Sequence, residues 1–414
     1  MFSTKKLIIL NCHFSFLYLH FKFSMRILFT GGGTGGHIFP IIAVAQNAKN
    51  ILQKQGIEAD FFYVGSPEIY EADIIKAGIK TSKILSAKIR RYFDFRNFID
   101  FPKFLISIFQ ACWKVFWIMP DVVFSKGGPG AFPVVLVSWF YRVPIIIHDS
   151  DSIPGAQNLL SARFSDRIAI SFDIAADSFI NLYKKETKWQ LMAEKIALVG
   201  NPIRDFFFTA SGVNQETEKN VLGFDPKKKL ILVVSGSQGS VRINDFFLDA
   251  ANDLLSAGFQ IYHQAGLNNI ENLKREVNFV LEKTPEQYKS AYKITPFLRD
   301  NDLKQAMIAA DLIVSRSGSF IFEIAAIAKP AILIPLPESA SDHQKKNAYE
   351  YAKTGAAIVI EEDNLSPHVF LAQVNKIFSN AETIKTMSQA ALRFAKPEAG
   401  KILAEEIIKL GVRN

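Results

Sequence analysis

At 414 residues the chain is long enough for two or more domains, and 49% hydrophobic against 21% charged residues provides for a sizeable core and excludes a disordered polymer. Two cysteines, Cys12 and Cys112, exclude a disulfide scaffold and a four-thiolate metal site, and fit a reducing compartment. The net charge is +8, and no uninterrupted apolar run reaches the roughly 18–20 residues of a membrane helix, so a soluble globular protein is expected.

Met1–Ser24 differs in character from the rest of the chain: an apolar, aromatic stretch behind Lys5 and Lys6, carrying +3 and no acid. It ends in no small-residue cleavage site, and a dispensable extension or an upstream start codon is expected, with a membrane-touching leader as the alternative. From Met25 short β-rich runs recur at Ile27–Thr30, Asp60–Val64, Val122–Ser125, Ile145–His148, Arg167–Ile170 and Ile196–Val199. The pattern restarts at Leu230–Ser235, Gln260–Gln264, Leu312–Ser315, Ala331–Ile334 and Ala357–Ile360. Short apolar strands separated by helix-length segments predict α/β domains with doubly wound parallel sheets. Two series predict two Rossmann-like domains, residues 25–203 and 204–396, and a terminal helix over 397–414 that packs back on the first domain.

Each half opens with a glycine-rich turn after its first strand. The first is Gly31-Gly32-Gly33-Thr34-Gly35-Gly36-His37, and the second is Ser235-Gly236-Ser237-Gln238-Gly239-Ser240. Glycines let backbone N–H groups approach an anion or a sugar, and a helix N-terminus behind them favours phosphate; tight turns alone are the alternative. Neither is the dinucleotide fingerprint, because Asp60 begins a strand where an acid should end one. His37 is either a cap-like polar residue or a base aimed into a cleft. A helix N-terminus lowers an imidazole pKa and keeps it able to accept a proton.

Taken together, Gly31–Pro40 (GGGTGGHIFP), Gly200–Arg204 (GNPIR), Gly236–Ser240 (GSQGS), Arg316-Ser317-Gly318, Glu323 and His343-Gln344-x-x-Asn347-Ala348 resemble the undecaprenyldiphospho-muramoylpentapeptide β-N-acetylglucosaminyltransferase family. Members of that family convert lipid I to lipid II in peptidoglycan synthesis. The resemblance runs in order from about Met25 to the C-terminus and implies a GT-B fold, two Rossmann-like domains facing a cleft. It implies UDP-N-acetylglucosamine in the second domain, with Ser237, Gln238 and Arg204 on the diphosphate and sugar side. Glu323 would take the ribose hydroxyls, Phe297 and Leu298 the uracil, and Gln344 and Asn347 the donor sugar. Lipid I would meet Gly32, Gly33, Thr34 and His37 in the first domain, with Thr34, Gly35 and Gly36 also reaching the donor. The implied reaction is an inverting transfer with His37 as base. No Asp-x-Asp motif or ligand cluster points to a metal, and no cofactor is implied.

The chain departs from the family pattern at three places. His148-Asp149-Ser150-Asp151 stands where His-Glu-Gln-Asn is usual, so Asp151 replaces an Asn that contacts the sugar. Gly127-Gly128-Pro129-Gly130-Ala131-Phe132-Pro133 lacks the usual Tyr and Ser, which leaves Gly127 and Gly128 as the acceptor-side residues there. The interval from Arg316 to Glu323 is one residue short, with Ser319 standing in for a hydroxyl residue.

One segment points to a membrane independently of the family. Lys80–Trp117 carries +6, including Arg90 and Arg91, interleaved with aromatics such as Phe98, Trp113 and Trp117. On an amphipathic helix this mixture suits the headgroup boundary of anionic lipid. A core helix with a solvated basic edge is the alternative, and a nucleic-acid surface is not expected. The expected place is the cytoplasmic face of the cell membrane, as a peripheral enzyme. Competing functions are a GT-B transferase with another glycolipid acceptor and a sugar-nucleotide 2-epimerase.

Overall fold

The computed structural model describes residues 24–86, 96–182, 189–210, 213–236, 239–282 and 284–412. Among these, two parallel sheets form. The first contains β1 (Met25–Thr30), β2 (Ala59–Gly65), β3 (Lys80–Lys83), β4 (Val122–Ser125), β5 (Ile145–Asp149), β6 (Arg167–Ile170) and β7 (Ile196–Leu198), in the order β3-β2-β1-β4-β5-β6-β7. The second contains β8 (Leu230–Val234), β9 (Gln260–Gln264), β10 (Tyr292–Thr295), β11 (Leu312–Ser315), β12 (Ala331–Leu333) and β13 (Ala357–Val359), in the order β10-β9-β8-β11-β12-β13.

Central strands such as β4 and β8 are buried at every residue, because helices cover both sheet faces. The periodicity missed β3 and β10. Both are edge strands, Lys80-Thr81-Ser82-Lys83 and Tyr292-Lys293-Ile294-Thr295, whose partly open faces carry no continuous apolar run.

In each sheet the strand order reverses once, between β1 and β4 and between β8 and β11. Loops at the C-terminal ends of those strands splay apart and leave a crevice, the usual binding place of doubly wound sheets. The loops in question are the two glycine turns, the Lys126–Gly130 segment after β4 and the Arg316–Ser319 segment after β11.

The terminal helix α8 (Ala399–Val412) crosses to the first domain. Leu403, Ala404, Ile407 and Leu410 join the core of Ile27, Phe29 and Ile41, the last of these from α1 (Gly35–Lys54). Gly200 and Lys396 mark the two crossings between domains and lie side by side. A Cβ on Gly200, at φ +94°, would stand 2.5 Å from Lys396 Cβ. Glycine is therefore required at that crossing.

Candidate active site

The two crevices face each other and merge into one cleft of about 830 Å³. That volume suits a nucleotide-sized ligand. One wall is the first glycine turn and the start of α1. Thr34 is extended, and its Oγ1 lies 3.1 Å from His37 Nδ1. The His37 ring is half-open to the cleft and rests on Gly128, where a Cβ would approach ring carbon Cε1 at 3.1 Å and φ is +83°. Gly36 meets the Ser319 hydroxyl of the second domain so closely that any side chain there would displace it.

Burial pushes the His37 imidazole down to about 4, and the nearby Lys126 ammonium adds to this. The Asp151 carboxylate and the Gly32 carbonyl oppose it. The ring is therefore neutral at physiological pH and has a nitrogen available as acceptor. Lys126 is also buried, and its ammonium is pushed down to about 8 by desolvation, against the pull of Asp149 and Asp151. Sequence reasoning passed over Lys126. Its signal was a lysine placed directly after the buried strand β4, Val122-Val123-Phe124-Ser125, and before Gly127.

The facing wall is the second glycine turn and the residues after β11. Gly236, Gly239 and Ser240 line the cleft, whereas Ser237 and Gln238 lie outside the described residues. Ser240 caps α5 (Val241–Asp249), its Oγ accepting from Ile243 N, and receives Arg316 Nη2 at 2.7 Å. Arg316 also donates to the Ile334 and Pro335 carbonyls and pairs with Glu362. A buried guanidinium thus fixes the cap of the helix whose N-terminus opens on the cleft.

Glu323, on α6 (Phe320–Ala326), is lifted above the usual carboxylate range by burial and drawn back by Arg204. Arg204 Nη2 lies 3.5 Å from Glu323 Oε1 and Nη1 donates to Asp300 at 2.6 Å. Its guanidinium sits 3.9 Å from the Phe39 ring centroid, so one side chain touches both domains. Across the same seam Asp73 and Lys76 of α2 (Glu71–Lys76) face Arg299 and Asp300.

The cleft therefore brings together Gly33, Thr34, Gly35, Gly36, His37, Asp151, Arg204, Phe297, Leu298, Glu323 and Gln344. Gly32, Gly127 and Gly128 stand behind its surface. Two residues differ from the expected arrangement. Asn347, on α7 (His343–Ala352), is fully buried and does not line the cleft; its amide bonds Asp151, Ser152 and the Ser317 carbonyl. Leu298 donates its backbone N–H to Gln264 Oε1 at 2.9 Å, so that N–H is not free to read a base. Gln344 Oε1 accepts from Leu336 N at 3.1 Å, and the residue lines the cleft from the first turn of α7.

Comparison with known proteins agrees with this architecture. Residues 27–170 match the glycosyltransferase family 28 N-terminal domain, and residues 230–403 match the glycosyltransferase family 28 C-terminal domain. A Clostridium tetani protein named UDP-N-acetylglucosamine–N-acetylmuramyl-(pentapeptide) pyrophosphoryl-undecaprenol N-acetylglucosamine transferase is 35% identical, over 89% of this chain and 94% of its own. A protein of the same name from Halothermothrix orenii is 34% identical, over 92% and 97%. The chain belongs to this transferase family. Among solved structures, MurG of Acinetobacter baumannii aligns over 93% of this chain and 99% of its own, with a TM-score of 0.65 and 23% identity. A UDP-GlcNAc 2-epimerase from Neisseria meningitidis, bound to UDP-GlcNAc, aligns with a TM-score of 0.64 at 14% identity, over 94% of this chain and all of its own. At those identities the likeness concerns the fold, a two-domain GT-B arrangement.

Away from the cleft, α3 (Arg96–Ile118) and α4 (Ala131–Phe140) form an exposed aromatic face. Phe109, Trp113, Phe116 and Trp117 project from α3, and Trp139 and Phe140 from α4, each more than half exposed. Trp113 meets Trp117 at 5.7 Å, and Phe116 meets both Trp117 and Tyr141. Arg90, Arg91 and the Phe98 side chain lie outside the described residues. The α4 aromatics escaped the sequence reading because Val134–Phe140 is apolar but for Ser138, which hides its outward end. Among the described residues no helix is long and apolar enough to cross a membrane.

Proposed function

We propose that the protein transfers N-acetylglucosamine from UDP-N-acetylglucosamine to the muramoyl 4-hydroxyl of lipid I, with inversion, giving lipid II and UDP. The observation that carries this is the meeting of the two switch-point loops across one cleft. A neutral imidazole, His37, faces the helix N-terminus behind Ser240. Membership of the transferase family supports the substrates.

The acceptor oxygen attacks the anomeric carbon from the His37 side, and the bond to the UDP β-phosphate oxygen breaks, its electron pair leaving with UDP. His37 takes the hydroxyl proton as the new C–O bond forms. The diphosphate's growing negative charge falls at the N-terminus of α5, where backbone N–H groups and the helix dipole stabilise it. The same charge raises the basicity of His37 as the leaving group departs. Glu323 accepts the ribose hydroxyls, and Phe297 and the Leu298 carbonyl side hold the uracil. Gln344 reaches the donor sugar, while Asn347 serves the closure of the two walls. Thr34, Gly35 and Gly36 shape the meeting point of donor and acceptor.

The aromatic face of α3 and α4 docks on an anionic bilayer surface from the cytoplasmic side, where a polyprenyl-linked acceptor resides. Its rings are exposed, the basic run of Lys88, Arg90, Arg91 and Arg96 precedes them in sequence, and tryptophan suits the headgroup boundary.

The test mixes the protein with UDP-N-acetylglucosamine and a short-chain lipid I analogue. UDP and the disaccharide product are expected in equal amounts. UDP release only with another glycolipid, or conversion of the donor to its 2-epimer without acceptor, would overturn this reading.

A further inference from the structure

Gln264 is the last residue of β9, lines the cleft and is only 1% exposed. Its carboxamide is used at both ends. Nε2 donates to the Gly236 carbonyl of the second glycine turn at 2.9 Å, and Oε1 accepts from Leu298 N at 2.9 Å. Gly236 O also accepts from Gly239 N at 3.2 Å, so the carbonyl that closes this turn is the one Gln264 holds. The orientation of the carboxamide follows from its partners, since a carbonyl needs a donor and an N–H needs an acceptor. An ionised glutamate of the same length would set a carboxylate oxygen against the Gly236 oxygen.

The backbone next to Gln264 strengthens the same link. On one side, the Ala265 carbonyl accepts from Asn244 Nδ2 of α5 at 3.1 Å and lies so close to Gly239 that no Cβ fits there. On the other side, Ala265 N and Gly266 N donate to the Thr295 and Pro296 carbonyls at 2.9 Å each, just before Phe297 and Leu298. The glycine turn follows β8 and the Phe297–Leu298 loop follows β10, and β9 lies between those strands. The end of β9 is therefore the bridge between two loops that both line the cleft.

We propose that Gln264 is a positioning residue of the nucleotide site: its carboxamide ties the second glycine turn to the Phe297–Leu298 loop at a fixed separation, so that diphosphate and uracil are gripped as parts of one ligand. The inference rests on the transferase reading of the cleft, which brings UDP here, and deepens it. Binding both parts of UDP requires both loops at the right spacing, and a spacing set before the ligand arrives spares the ordering that would otherwise lower affinity. A ligand that touches one loop alone does not need the tie. Gln264 thus acts on the coupling between the two grips.

The test titrates full-length protein with UDP, uridine and inorganic pyrophosphate, and follows binding by NMR. Gln264→Met keeps the length of the side chain and removes both hydrogen bonds. It is expected to weaken UDP about 10-fold, and uridine and pyrophosphate by no more than about twofold each. Gln264→Asn keeps a carboxamide one methylene too short to reach both partners, and should show the same pattern. Uridine or pyrophosphate weakened as much as UDP would mean that Gln264 supports a single loop, which overturns the proposal. UDP bound as tightly as by wild type overturns it too, whatever happens to the Tm. Should Gln264→Met fail to fold, the conservative Gln264→Asn carries the same comparison with the same outcomes. These titrations need no acceptor. Wild-type protein that binds UDP but forms no disaccharide from a lipid I analogue overturns the transferase reading separately.

Discussion

Asn347 Nδ2 donates to Asp151 Oδ1 at 2.9 Å, joining α7 of the second domain to the loop after β5 in the first. The same amide accepts from Ser152 N at 2.8 Å and donates to the Ser317 carbonyl at 3.1 Å. One buried side chain thus has hydrogen bonds to both walls of the cleft, next to the loop that carries Ser319. Any widening of the cleft breaks the two bonds to the first domain together.

Replacing Asn347 by Ala should therefore weaken closure more than folding. It leaves the Ser152 N–H and Asp151 carboxylate without their partner, a loss of about 2 kcal/mol, or roughly 30-fold in kcat/KM. Steady-state UDP release and thermal unfolding check this. A variant with lowered Tm but normal kcat/KM would assign Asn347 to the fold alone.

His37→Ala should reduce kcat by on the order of 10²–10⁴ while KM for the donor changes little, because the ring touches the acceptor's proton rather than the nucleotide. The wild-type ring titrates at about 4. Its loss as a base should therefore appear only below about pH 5, and kcat/KM should run flat from there to neutrality on its account. Near-normal turnover of the Ala variant would remove His37 from the reaction.

Much of this site was legible because glycine and apolar patterns report on the backbone. The two turns after β1 and β8 marked the crevices before any side chain was placed, since such turns open helices at the switch points. Edge strands β3 and β10 were not legible, because a strand with one free side needs no apolar run. The role of Asn347 was hidden for a different reason. Its spacing from Gln344 fits one helical face, but which wall that face meets depends on how the two domains lie, a relation separated by 196 residues from Asp151. Lys126 was missed because a lysine is ordinarily exposed, and its burial shows only once β4 is seen to lie between β1 and β5.

The aromatic face makes its own prediction. Replacing Trp113, Trp117 and Phe140 by Ser removes three exposed rings that would enter the headgroup region, each contributing about 1.5–3 kcal/mol when fully buried. Sedimentation with vesicles of mixed anionic and neutral lipid should show at least a 10-fold lower partition coefficient for the triple variant. Partition equal to wild type would place the docking surface elsewhere.

Acid stability is set by the buried imidazoles. His37 and His263 are pushed down to about 4 and about 3, and His148 lies well below its ordinary value, all chiefly through desolvation. Unfolded histidine titrates near 6.5, so at pH 5 unfolding takes up about three protons at these rings. Asp149 acts with the opposite sign. Burial and the neighbouring Asp151 push it up to about 6, so it holds a proton at pH 5 in the fold and releases about one on unfolding. Asp60 and Asp311, held low by their lysine partners against the opposing effect of burial, add little at that pH because their unfolded forms are also ionised. Glu323, also raised by burial, acts in the same direction as Asp149. Net uptake of at most about two protons gives a stability that falls by up to about 2–3 kcal/mol per pH unit on acidification near pH 5. Calorimetric unfolding in buffers of different ionisation enthalpy measures the uptake directly. His263→Asn should lower it by about one proton. Net release at pH 5 would mean that the imidazoles are charged in the fold.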